Sequence, residues 1–284
     1  MKNKRLIASL ALVACLSVMA GRASGEATPP SAAKPDVTVE LQQLVEKTKG
    51  KLQAGANTEA ALAEELKEFD ALLAEHKDEK TDAVAQVLFM KALLYVEVIK
   101  DYDKGGEMLK QLKTDFPETQ AGQNVDKILA SLDRMKETMK IQSALKPGVA
   151  FPDFNEKDLA GEPLSIAKFK GKVVLVDFWA TWCGPCVAEL PNVLAAYKKY
   201  HDQGFEVIGI SLDQDENALK NFIKEKGLAW PQYFDGKGWG SKLGQKYGIN
   251  SIPMTFLLDQ EGKVVAKGLR GPALDAQLAK MLGQ

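Results

Sequence analysis

Cys183 and Cys186 stand three residues apart in VVLVDFWATWCGPCVAELP, residues 173–191, directly after an apolar run. Thiols at that spacing suit half of a metal clip, a structural staple, or a centre that makes and breaks a disulfide. A zinc clip needs two further ligands. The chain has no second cysteine pair beside these two, and its two histidines, His76 and His201, lie in charged stretches that read as solvated, so no metal site is expected. A staple closing a two-residue loop would restrain the unfolded chain very little. Redox chemistry is the reading the pair itself favours.

That chemistry needs the thiols held at a particular place in the fold. Val173–Val176 is a continuous apolar run, as expected of a central strand buried on both faces. Cys183 then falls where the strand has ended and a helix begins. Unpaired backbone N–H groups and the positive end of the helix dipole gather there, and both stabilise a thiolate. Cys183 is therefore the expected nucleophile. Cys186 lies one turn further along the same side, placed to attack a mixed disulfide at the Cys183 sulfur and release the substrate. Gly184 permits close approach of a partner chain, and Pro185 is tolerated in the first helical turn.

The rest of the chain divides by pattern. Lys2, Lys4 and Arg5 precede the uncharged apolar stretch Leu6–Ala20, which reads as an export signal over residues 1–25. Cys15, in Leu-Val-Ala-Cys, resembles a lipobox and offers lipid anchoring as the minority alternative. Residues 26–36 are Pro-, Ala- and polar-rich and read as a linker. The net charge is -1, and about -5 without the leader, which excludes the basic face a nucleic-acid binder needs. Residues 37–145 show helical periodicity throughout, as an all-helical domain of about five helices. Within it DYDKGGEMLKQLKTDFPET, with a looser echo about 40 residues earlier, resembles part of a tetratricopeptide-type repeat; the domain reads either as a generic helical bundle or as such repeats, which would dock a partner or the protein's own second domain. From residue 146 to 284 short β-branched runs alternate with helices and end in two closely spaced strands joined by Asp259–Gly262. That pattern predicts an α/β domain with a mixed sheet.

FPDFNEKDLAGEPLSIAKFKGKVVLVDFWATWCGPC, CVAELP and YGINSIPMTFLLDQEGKVV together resemble the exported TlpA/ResA-type thiol–disulfide oxidoreductases. The resemblance covers Gly148–Gln284 and omits the helical half. It implies a thioredoxin fold, a mixed central sheet flanked by helices, with the dithiol at a helix N-terminus and no cofactor. Matched residue by residue, Pro253 corresponds to a cis-proline facing the dithiol. A cis Ile252–Pro253 bond would turn a backbone edge toward a bound peptide, with Trp182 shaping the surface beside Cys183. Asp177 matches the buried aspartate of thioredoxins. Either neighbouring N–H groups satisfy it, or it is a raised-pKa proton acceptor for Cys186. The lysine that neighbours that aspartate in many thioredoxins is replaced by Gly209, which should raise the carboxyl further. Glu189 matches the exported group and is either a solvated helix residue or a group tuning the dithiol.

Taken together these residues imply an exported thiol–disulfide oxidoreductase acting on protein disulfides. The Gly184-Pro185 dipeptide resembles reducing members, and a reductase outside the cytoplasm needs an upstream membrane dithiol donor. The rival readings are a disulfide oxidase or isomerase, and an envelope adaptor whose helical domain docks a partner.

Overall fold

The computed structural model describes residues 36–283. The leader with Cys15, and the linker before Asp36, lie outside the described residues. The chain forms two units, divided at Arg134/Met135.

The first unit is built from helices whose starts are set by side-chain caps. Asp36 accepts a hydrogen bond from the Thr38 N–H and opens α1, Val37–Gln53. The next helix, α2, is Ala63–Glu75, entered through the short turn Ala60–Leu62. Thr81 caps α3, Asp82–Leu93, by accepting from Val84 N, and Asp101 caps α4, Tyr102–Asp115, by accepting from Lys104 N. Each cap satisfies a backbone donor that a helix start leaves without a partner. α5 is the long helix Gln120–Ala144. Leu41 and Leu44 of α1, and Leu66, Phe69 and Leu72 of α2, are buried. The most apolar segment, α3, continues as a wider π-helical turn over Leu94–Ile99. A Cβ at Gly105 of α4 would strike the Val96 side chain, so this glycine sets how closely the two helices approach. Among the described residues no helix is long and apolar enough to cross a membrane.

The two histidines are less exposed than their charged surroundings in sequence suggest. His76 is not solvated: it caps the C-terminal end of α2 and is 3% exposed. The charges around it are partners rather than signs of a wet surface. In the second unit His201 is half-buried, its ring against Tyr197 at a centroid distance of 4.5 Å.

The second unit opens with a small hairpin that pairs β1 (Glu156–Lys157) with β2 (Pro163–Leu164). Its main strands are β3 (Val173–Trp179), β4 (Phe205–Ser211), β5 (Gln232–Tyr233), β6 (Met254–Leu258) and β7 (Val264–Lys267). These five form one mixed sheet in the order β5-β4-β3-β6-β7. β3 and β4 run parallel and are joined through α6, Gly184–Tyr200, whereas β6 lies antiparallel to β3 on its other side. α7 (Glu216–Lys226), the short α8 (Lys242–Lys246) and α9 (Pro272–Leu282) complete the unit. All seven residues of β3 are buried, as the apolar run requires of a strand at the centre of a covered sheet. Asp259–Gly262 makes the expected turn between β6 and β7, with the Asp259 carboxylate accepting from Glu261 N and Lys263 N. This is a thioredoxin-type sheet, as the resemblance implies.

The division between the units falls inside α5 rather than at residue 145. The end of that helix and the residue after it carry apolar side chains that the second core takes up: Leu145 is buried in it and Ile141 packs against it. Gln142 Nε2 also donates to Tyr247 O at 2.6 Å.

Gly209 of β4 stands in register with Asp177 of β3 and Gln232 of β5. A Cβ at Gly209 would land on the Gln232 side-chain amide, whose Oε1 accepts from Trp179 Nε1 at 3.0 Å. Overfilling so tight a place displaces a buried hydrogen bond. Gly209→Ala should therefore lower the stability of the oxidised protein by about 1–3 kcal/mol, read from urea unfolding. An unchanged midpoint would mean that the amide moves aside freely.

Candidate active site

β3 delivers the chain to the site, and a small polar clamp fixes the loop that follows. Asp213, buried just beyond β4, accepts from Thr181 Oγ1 at 2.6 Å and from Thr181 N at 3.1 Å. Ser211 Oγ donates to the same carboxylate at 2.8 Å. Cys183 N donates to Ala180 O, which tightens the chain before the helix opens. Cys183 is the N-cap residue of α6 and Pro185 lies in its first turn, where a missing N–H costs nothing. The helix runs on through Pro191 to Tyr200.

Cys183 and Cys186 are joined in a disulfide, so the structure holds the oxidised form. Cys186 N donates to Cys183 Sγ at 3.2 Å. In the reduced form the same N–H and the helix dipole favour negative charge on Cys183. Both cysteines are buried.

The carboxyl groups of the site act on one another. Asp177 is buried, and its pKa is pushed up to about 7, chiefly by burial and next by the charge of Glu189, against a smaller opposing pull from Arg270. Glu189 lies one helical turn beyond Cys186, so the face of α6 that carries the second cysteine also carries a charge that Asp177 feels. Glu189 is not simply solvated. Its Oε1 accepts from Gly271 N at 2.6 Å and its Oε2 from Asn192 Nδ2 at 3.0 Å. Arg270 donates through Nη2 to Pro253 O at 2.7 Å. The Ile252–Pro253 bond is cis, and both residues are half-buried just before β6. Beside Asp177 the register position is Gly209, which brings no cation of its own.

Trp182 is 54% exposed and stands against Trp239, itself 51% exposed, with ring centroids 6.0 Å apart. Two large apolar rings left in water, one of them on the residue next to Cys183, form an exposed apolar patch. Trp179 is a core residue instead, fully buried. Sequence reasoning reached Trp182 but missed Trp239, Asp213, Gln232 and Arg270. A lone tryptophan between glycines, or an arginine after the last strand, carries no motif, and only the fold brings these side chains to the site.

The redoxin family model matches residues 146–281. The thiol–disulfide oxidoreductase ResA of Bacillus thuringiensis is 35% identical over 141 residues, covering 50% of this chain and 79% of the relative. ResA of Bacillus subtilis is 32% identical over 124 residues, covering 44% of this chain and 68% of the relative. The chain belongs to the ResA-type thiol–disulfide oxidoreductase family. Among solved structures, the thioredoxin domain of a thiol–disulfide oxidoreductase from Bacteroides vulgatus is 37% identical, with a TM-score of 0.46. It covers 49% of this chain and 99% of that one. The ResA-type half is a thioredoxin-like enzyme that exchanges thiols and disulfides with protein substrates, and the helical half lies outside the family match.

The raised pKa of Asp177 makes folding depend on pH in a definite direction. Its protonated form is favoured in the folded state, so its contribution is fully present below about pH 3.8 and is lost as pH rises through about 7. A pKa difference of that size between the folded and unfolded chain corresponds to a loss on the order of 4 kcal/mol. Asp177→Asn should match the parent protein near pH 4 and exceed it above pH 7.5, in urea unfolding of the oxidised form. Glu189→Gln should lower the pH at which that divergence levels off, and Arg270→Gln should raise it. A difference that is flat with pH would remove Asp177 as a raised-pKa group.

Proposed function

We propose that the protein reduces disulfides in exported proteins, with Cys183 as nucleophile, Cys186 as resolving thiol and Asp177 as proton acceptor. Cys183 thiolate attacks one sulfur of the substrate disulfide; that S–S bond breaks and the other substrate sulfur leaves as a thiolate that takes a proton from water. Cys186 then passes its proton to the Asp177 carboxylate, directly or through a water, and attacks Cys183 Sγ. The mixed disulfide breaks, the second substrate sulfur leaves as a thiolate that takes a proton from water, and two electrons have left the protein for the substrate. Asp177 carries this reading: a carboxyl of pKa about 7 exchanges protons at neutral pH, and it feels the helix face that holds Cys186.

Charge supports the reducing direction. A strongly oxidising dithiol has a reduced form stabilised by a very acidic thiol. Here Glu189, joined by Asp177 once it ionises near pH 7, sets negative charge near the thiolate that the helix N-terminus favours, which disfavours that extreme. The Gly184-Pro185 pair resembles reducing members. Every turnover leaves the Cys183–Cys186 disulfide, so the cycle calls for an upstream dithiol donor. Export is supported by the leader pattern of Lys2, Lys4, Arg5 and Leu6–Ala20, and a donor for an exported reductase must pass electrons across the membrane. The repeat-like echo in the helical half supports a docking role for that unit, toward a substrate or the donor. Trp182 and Trp239 form the contact surface for the segment around the substrate disulfide, and the backbone at Ile252–Pro253 offers it a strand edge.

Equilibrium of the Cys183–Cys186 pair with defined dithiol buffers tests the direction. A potential near about -270 mV is expected, and one in the range of about -120 to -180 mV would make the protein an oxidase or isomerase. Trp182→Ala should raise KM for a protein disulfide several-fold while leaving reduction of a small aromatic disulfide nearly unchanged. Equal losses on both would instead place Trp182 in the chemistry of the thiols.

A further inference from the structure

In the helical unit, away from the dithiol in sequence and in role, three side chains converge on one point. Glu40 of α1, Glu75 at the end of α2 and His76 just beyond it each offer one ligand atom, and these atoms all lie within 4.8 Å of one another. We infer that Glu40, Glu75 and His76 form a binding site for a divalent transition-metal cation, of which zinc is the representative probe.

The observation that points to a ligand is the state of His76. The residue is buried, yet its Nε2 has no hydrogen-bond partner. Glu40 Oε2 is likewise buried without one, and the two atoms face each other at 3.8 Å, beyond hydrogen-bond reach. A buried imidazole nitrogen and a buried carboxylate oxygen left this way are costly unless something between them satisfies both. With metal–ligand bonds of about 2.0–2.2 Å, neighbouring donors around a tetrahedral ion lie roughly 3.3–3.6 Å apart. The His76–Glu40 pair, at 3.8 Å, is close to that spacing, and the cluster as a whole, within 4.8 Å, would close by about 1 Å on binding.

The surroundings fit the same reading. His76 Nδ1 is held by Glu79 Oε1 at 2.9 Å, which fixes the ring and directs Nε2 to the centre of the cluster, as an outer carboxylate does for metal-bound histidine. His76 caps the C-terminal end of α2, where backbone carbonyls favour positive charge. Glu75 is exposed, which leaves the ion a path from solvent and a coordination position for water. One imidazole and two carboxylates would give a divalent ion a neutral site. Such an ion would tie α1 to the end of α2, fastening the first helical pair independently of the redox state of Cys183 and Cys186.

The test is calorimetric titration of zinc into the full chain with the Cys183–Cys186 disulfide closed, Cys15 replaced by serine and no affinity tag. One zinc per chain is expected, with Kd in the micromolar range or tighter, and a melting temperature that rises by several degrees at saturation. Glu40→Gln and His76→Gln should each weaken binding more than tenfold, and Glu79→Gln by about 10- to 100-fold. Glu40→Gln changes only a half-exposed carboxylate, so it reads the site even if His76→Gln fails to fold. Absence of zinc binding would overturn the inference and leave His76 as a buried imidazole held by Glu79. Binding that survives unchanged in Glu40→Gln would overturn it equally, by placing the metal elsewhere.

Discussion

Asp177 sits in a strand whose seven residues are all buried, and the cost of keeping a carboxylate there organises the second unit. Burial of that charge is unfavourable enough that the carboxyl holds its proton up to neutral pH. Each neighbour then acts by changing the balance. Gly209 in the adjoining strand adds no cation and leaves its space to the Gln232 amide, which is committed to Trp179 rather than to the carboxylate. Glu189 adds like charge from α6. Arg270 offsets part of it from the segment before α9. The site is thus poised by a desolvated group between one anion and one cation, with burial as the larger effect.

The dithiol depends on a different kind of constraint, one of geometry. A helix start is useful to a thiolate only if the cysteine stays at the N-cap, and the loop before it must not drift. Asp213 supplies that restraint by taking three donors from Thr181 and Ser211, which ties the end of β4 to the loop after β3. The clamp accounts for a buried aspartate that the reaction itself does not use. With Thr181 held inward on one side and Cys183 on the other, the Trp182 ring stands out beside Trp239.

What the sequence made legible follows the reach of its signals. Apolar periodicity and β-branched runs marked the long helices and the strands β3, β4, β6 and β7, because each is set by its own residues. The two-residue strands β1, β2 and β5 carried no such period and exist only through their partners. Cys183, Cys186, Asp177, Glu189 and Pro253 were readable from local motif and resemblance. Arg270, Trp239 and Asp213 were not, since each reaches the site from a distant segment through one or two contacts. His76 misled for a related reason: charged neighbours in sequence read as a wet surface, whereas Glu40 and Glu79 close around the ring from two different segments.

The segment Leu269–Gly271 links the parts of the site more closely than any strand does. Arg270 donates to Pro253 O at the cis turn before β6, and its charge also reaches Asp177. One residue on, Gly271 N holds Glu189, the group acting on Asp177 with the opposite sign. The carbonyl of the cis Ile252–Pro253 turn is therefore bound to the same cation that restrains the pKa of Asp177. Moving the Arg270 charge away from Asp177 would weaken that restraint and raise the carboxyl pKa further. The cis turn before β6 and the buried carboxyl of β3 are in this way linked through a single guanidinium.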